Sequence, residues 1–121
     1  MAIRDKITAN AQPHLREGEQ VQAVMGAQTA SQYLVLATYI LFYIMNSYRT
    51  IVATDQRILV FDSGKLSTTK ARSIVAEVDR RTPLGPPKGL WHPITLGTET
   101  VRVHKRFFKD IEQADALSGA A

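Results

Sequence analysis

The stretch TYILFYIMNSYRTIVATDQRILVFDSG, residues 38–64, changes character in its middle. Its first part carries no charge and has the composition of deeply buried or lipid-facing chain. From Tyr48 onward, YRTIVAT and RILVFD alternate on either side of Thr54-Asp55-Gln56. A period of two predicts strands, and an aspartate able to hydrogen-bond its own backbone suits the turn between them. Two architectures compete at this junction: a membrane segment joined to a β domain, or one soluble domain holding a very apolar helix.

The uncharged stretch extends upstream, for no Asp, Glu, Lys or Arg occurs between Glu19 and Arg49. Its densest part, Tyr33 to Met45, shows neither a period of two nor a 3.6-residue stripe. Every side is apolar, which demands burial in protein or in lipid. Thr29 or Ser31 would cap a helix there. Thirteen residues at 1.5 Å rise cover about 20 Å against roughly 30 Å of hydrocarbon, and residues 30–47 lengthen this to a marginal span. Tyr33, Tyr43 and Tyr48 fall where interfacial aromatics sit.

The favoured expectation is a membrane-associated apolar helix over 30–47, with Tyr33, Leu34, Leu36, Tyr39, Ile40, Leu41, Phe42, Tyr43 and Ile44 against lipid. The alternatives are a helix buried in a soluble protein or oligomer, and a strand. A single complete crossing would put the strands before and after it on opposite sides and forbid a shared sheet. If the sheet is shared, the segment must dip into the bilayer, lie on it, or pack against protein.

Outward from this stretch, residues 2–15 place Ile3, Ile7, Ala11 and Leu15 four apart, a short amphipathic helix that Pro13 ends or kinks. QVQAVMGAQ, residues 20–28, alternates Val21, Ala23, Met25 and Ala27 with mostly polar neighbours and predicts a half-buried strand. KARSIVAEVD, residues 70–79, puts Ile74, Ala76 and Val78 on one face of a further strand. RRTPLGPPKGLWHP, residues 80–93, is a loop with four of the five prolines. WHPITL and ETVRVH flank Gly97-Thr98 as a last hairpin. RFFKDIEQADALSG then sets Phe107, Ile111, Ala114 and Leu117 on one helical stripe, with Gly119 as C-cap. The fold class is α+β in a single domain over residues 1–121: a short N-terminal helix, an antiparallel sheet, the apolar helix after the first strand, and a C-terminal amphipathic helix.

A 121-residue chain with 45% hydrophobic residues can bury a core, and the absence of cysteine removes disulfides, thiolate metal sites and a thiol nucleophile. The formal charge is +4, and residues 49–121 carry twelve of the fifteen Lys/Arg against eight acids. By the positive-inside rule that part stays on the cytoplasmic side of a membrane. The first sixteen residues are mixed and polar, unlike a secretory signal.

Several of these residues resemble the bacterial pleckstrin-homology-like domains, many of them membrane-associated. Glu19 leads a strand, the apolar segment 33–46 follows, and Tyr48, Arg49, Thr54, Asp55, Arg57, Ile58 and Leu59 match a Tyr-Arg-x-x-x-x-Thr-Asp-x-Arg-Ile-Leu hairpin. VRVHKRFFKDIEQAD, residues 101–115, is similar to the close of small actinobacterial proteins of unknown function. The likeness spans most of residues 17–117, although this chain has one short apolar segment where such proteins frequently have two spans. It implies a bent, pleckstrin-homology-like antiparallel sheet closed by a helix. It also implies a binding or scaffold module without enzymatic activity.

Two basic clusters are candidates for an anionic surface: Arg80, Arg81, Lys88 and Trp91 in the proline-rich loop, and Arg102, His104, Lys105 and Arg106 before the last helix. His92 stands beside the first. The bland alternative for both is solvated loop and strand end. Nucleic acid is disfavoured, since no recognition helix or RNA-binding signature is present. His14, His92 and His104 lack metal-ligand spacing, and no nucleophile elbow or phosphate loop occurs. The expectation is a non-enzymatic, cofactor-free accessory or scaffold module at the cytoplasmic face of the cell membrane, contacting lipid or a membrane-protein complex. The alternative is a soluble module that forms a homo-oligomer through its apolar segment.

Overall fold

The computed structural model describes residues 3–29, 47–64, 70–97 and 99–118. Helix α1 (Ile3–Ala11) is followed by a 3-10 turn (Gln12–His14). Six strands come next: β1 (Val21–Gln28), β2 (Tyr48–Thr54), β3 (Arg57–Gly64), β4 (Ser73–Asp79), β5 (Trp91–Leu96) and β6 (Glu99–His104). A 3-10 turn (Lys105–Phe107) leads into α2 (Phe108–Leu117). All neighbours are antiparallel, in the order β4-β3-β2-β1-β6-β5. The strands and both terminal helices stand where periodicity predicts them. The expected apolar helix of residues 30–47 lies, apart from Ser47, outside the described residues. Among the described residues no helix is long and apolar enough to cross a membrane.

The sheet is curled and is covered on both faces. On its inner face Ala23, Met25, Ala27, Ile51, Ala53, Ile58 and Val60 join Val101, Val103 and the α2 residues Ile111 and Ala114 in one cluster. On its outer face Val24, Val52, Leu59 and Phe61 pack under Ile7 and Ala11 of α1. This corrects the half-buried expectation for β1: α1 shields the second face, so Ala23 through Gln28 are all buried. Two irregularities move single residues across the sheet. A register shift between Val21 and Ala23 places Val21 against the α1 cluster rather than beside Ala23. Another, at Val60/Phe61, sets Ile74 opposite Phe61, and Ile74 is 42% exposed instead of sharing the face of Ala76 and Val78. A bulge changes which side every residue beyond it faces, and alternation alone cannot place it. Leu117 is also exposed, at the last residue of α2.

β1 pairs with β2 along its length but with β6 only at Ala27↔Val103 and Gln28↔Arg102. The sheet opens there and α2 fills the gap, the Gln113 side-chain amide donating to the Gln22 carbonyl. The β4–β5 connection seals the other side. Leu84 is buried in the inner cluster, and the N–H groups of Leu84 and Gly85 donate to the two Asp115 carboxylate oxygens at 2.8 and 3.0 Å. The His92 imidazole donates to the Leu84 carbonyl at 2.9 Å. Leu84 therefore closes the core between the sheet and α2. Leu84→Ala is expected to cost about 2–5 kcal/mol, the range for emptying a buried leucine site. Urea unfolding checks this; a variant as stable as wild type would show that the loop is not part of the core.

Candidate functional site

Of the residues that carry the pleckstrin-homology-like resemblance, Glu19, Thr54 and Arg57 assemble into a buried polar network. The Glu19 side chain has no solvent exposure and faces Arg57, whose Nε and Nη2 donate to its two oxygens at 3.0 and 3.1 Å. The Thr54 hydroxyl donates to Glu19 at 2.6 Å and the Arg16 N–H at 2.8 Å. Arg57 also reaches Glu77 on β4. Asp55 accepts from the Gln20 N–H at 3.0 Å and returns its own N–H to the Gln20 carbonyl at 2.9 Å. The Thr-Asp-x-Arg sequence thus fastens the β2–β3 turn to the chain leading into β1. Ile58 and Leu59 fill opposite cores.

Burial alone would raise the Glu19 pKa, but hydrogen bonds from Arg57, Thr54 and the Arg16 N–H outweigh it and hold the carboxyl at about 2, below its ordinary 4.5. A carboxylate with a depressed folded-state pKa stabilises the fold fully above its unfolded value and loses that contribution as pH falls through the folded one. The loss therefore runs from about pH 4.5 down to about pH 2, and amounts to about 3 kcal/mol. Glu19→Gln is expected to lower stability at neutral pH and to flatten the acid slope relative to wild type in that interval. Parallel slopes for the two proteins in denaturant titrations would refute the role.

The eight basic and aromatic candidates do not form one face. Arg80 is 8% exposed and points inward, donating to the Thr54 and Ala114 carbonyls and to Gln22. This corrects its assignment to a surface patch. Arg81 is exposed beside it, at the β2–β3 turn end of the sheet. Lys88 is exposed in the loop. Trp91 and His104 pair across β5 and β6, rings edge-to-face at 4.9 Å. Arg102 shares their side of β6, since Val101 and Val103 face the core. The Lys105 N–H bonds the Leu90 carbonyl at 2.8 Å. Arg106 stacks on Phe107 at 5.0 Å, as does Arg4 at 5.3 Å, and Arg4 is ion-paired with Asp110 at 2.7 Å. These contacts tie α1 to α2. The candidates thus divide into a β5–β6 group, an α1–α2 clasp and the turn end.

A cluster that sequence spacing does not disclose lies at the opposite end, where the uncharged stretch is rooted. The Thr29 N–H donates to the Ser47 carbonyl at 2.8 Å, and the Ser47 N–H returns to the Thr29 hydroxyl at 2.9 Å. Thr29 and Ser47, the residues on either side of 30–46, are therefore held side by side. Around this junction stand Arg49, Lys70, Arg72 and Arg102. Arg102 donates to the Thr29 carbonyl. Arg49 is paired with Asp62 at 3.2 Å, and the Arg72 N–H bonds the Asp62 carbonyl at 2.9 Å. The Arg72 guanidinium covers Gly64, where a methyl group would meet it at 3.0 Å. The Lys70 carbonyl accepts from the Ser63 hydroxyl at 2.6 Å, and the Lys70 side chain is exposed. The register Gln28↔Tyr48↔Gly64, with Gln28↔Arg102 and Asp62↔Ser73, brings together four cations spread over more than fifty residues.

Among the described residues no group of three His, Asp or Glu could hold a metal. The His14 imidazole donates to the Ala71 carbonyl at 2.9 Å, and His104 Nδ1 accepts the Arg106 N–H at 3.1 Å. No protein-family model, curated protein or solved structure matches the chain.

Proposed function

We propose that the protein is a non-enzymatic binding module at the cytoplasmic face of a membrane, with the uncharged stretch as its apolar contact and the cations at its root as its electrostatic one. The observation that carries this reading is the closure of Thr29 on Ser47. The flanking strands β1 and β2 are hydrogen-bonded along their length, so both ends of the stretch leave the sheet from the same side. This geometry removes the conflict between an apolar segment and a continuous sheet. A single crossing is incompatible with it, whereas contact from one side is not.

The charge arrangement supports the same orientation. Seventeen residues without Asp, Glu, Lys or Arg are followed at their base by Arg49, Arg72, Lys70 and Arg102. A basic residue close to an anionic bilayer contributes about 1 kcal/mol and is screened within roughly 8–10 Å at physiological salt. The partner in this reading is membrane lipid or a protein embedded in it. The resemblance to membrane-associated pleckstrin-homology-like domains points the same way.

Flotation of the full chain with vesicles tests the proposal. Binding to phosphatidylserine-containing vesicles is expected to exceed binding to phosphatidylcholine alone and to fall with added salt. Leu36→Arg or Ile40→Arg is expected to release the protein from both vesicle types, because a central charge costs about 2.5–3.5 kcal/mol on insertion scales. Wild-type protein that stays off vesicles and forms a discrete oligomer without detergent would replace this reading with the soluble, self-associating one.

A further inference from the structure

The outer face of the sheet is covered over only part of its width. The cluster under α1 draws on β1, β2 and β3 and on neither β5 nor β6. Ile94 and Leu96 of β5 and Val101 and Val103 of β6 point into the inner core. Alternation therefore turns the intervening residues outward, as the direct cross-strand pairs Trp91↔His104, Pro93↔Arg102 and Thr95↔Thr100. Pro93, Thr95 and Thr100 are exposed, and Trp91, Arg102 and His104 are half-buried. At the base of the hairpin the Lys105 N–H bonds the Leu90 carbonyl. That rung adds an exposed lysine and a leucine that is 50% exposed.

Two properties of this face bear on what it meets. Among its described side chains there is one fixed cation, Arg102, with Lys105 beside it, and no carboxylate. Its charge is complementary to an anionic partner. The face is also continuous with the root of the uncharged stretch, for Arg102 lies opposite Gln28 in the ladder and donates to the Thr29 carbonyl. Trp91 and His104 stand two residues further from the hairpin tip of β1 and β2, about 7 Å along the strand. The headgroup region on one side of a bilayer is roughly 5–7 Å deep. If apolar chain enters hydrocarbon just beyond Thr29, the Trp91 indole stands at headgroup depth. An amphipathic ring with an N–H donor is favoured there.

We infer that the outer face of the β5–β6 hairpin lies against the headgroups of an anionic bilayer, with Trp91 at the interface and Arg102 and Lys105 towards lipid phosphate. This inference rests on the membrane reading and adds to it the side of the domain that meets the membrane. The domain leans on β5 and β6, and α1 faces away from the contact.

Trp91 is the only tryptophan in the chain, so the emission of the unsubstituted protein reports on this face. The full chain is mixed with phosphatidylserine-containing vesicles, with or without phosphatidylcholine brominated near the glycerol backbone, and flotation of the same samples gives the fraction bound. Bound protein is expected to show blue-shifted emission that the brominated lipid quenches. Lys105→Gln is expected to weaken binding about fivefold, the effect of one basic residue near the surface. Arg81→Gln, at the opposite end of the sheet, is expected to leave binding unchanged. Protein that floats while its Trp91 emission neither shifts nor is quenched would overturn this orientation and leave the membrane reading standing. Equal weakening by the two substitutions would do the same. Wild-type protein that does not float removes both.

Discussion

The buried contact between Glu19 and Arg57 is the constraint on which the arrangement of the strands rests. Each face of β1, β2 and β3 is covered by a different partner, α1 outside and α2 inside. A one-residue slip between strands would exchange the two sets of apolar side chains and satisfy neither. Apolar packing alone discriminates weakly against such a slip, because valine, isoleucine and leucine occupy both faces. The Glu19 carboxylate, with donors from Arg57, Thr54 and the Arg16 backbone, fits one register only. A buried ion pair often adds little net stability over an apolar replacement. Here its contribution is to single out one alignment among several of similar hydrophobic content.

Much of this architecture was legible in the sequence, and the losses have definite causes. Alternation located all six strands, and the four-residue spacing of Ile7 and Ala11 located the buried side of α1. What alternation could not show was that the polar-looking side of β1 would also be buried, since Val24 is shielded by the folding back of α1 over that face. The faces of Val21 and Ile74 were misplaced because a bulge leaves no mark in composition. The basic candidates were chosen as runs along the chain, whereas the sheet gathers cations by register. Arg102 was recognisable, but its neighbours Arg49, Lys70 and Arg72 come from other strands and connections. Arg80 looked like its neighbour Arg81, and nothing local reveals that one turns inward to the end of α2.

The two ends of the sheet have contrasting chemistry. At the Ser47 end, uncharged chain emerges amid basic side chains with Asp62 as their nearby acid. At the turn end, acids and arginines alternate around an open polar groove. Between them β1, β2 and β3 are short and largely buried, so an apolar layer separates the two ends. In the proposed orientation the apolar end meets the membrane and the polar groove faces the aqueous phase.

The paired Thr29 and Ser47 also make the tip of the β1–β2 hairpin a socket. The fold requires only that whatever lies between these residues begin and end a hydrogen bond apart. The entropic cost of joining two fixed points rises slowly with the length of the connection, by about 0.6 kcal/mol for each doubling. An insert there can lengthen, shorten or change composition while the two cores and the buried ion pair remain undisturbed. The scaffold can therefore keep its interior under strict packing selection while the sequence between Thr29 and Ser47 diverges freely, so that kindred chains would share strands and differ in what the hairpin carries.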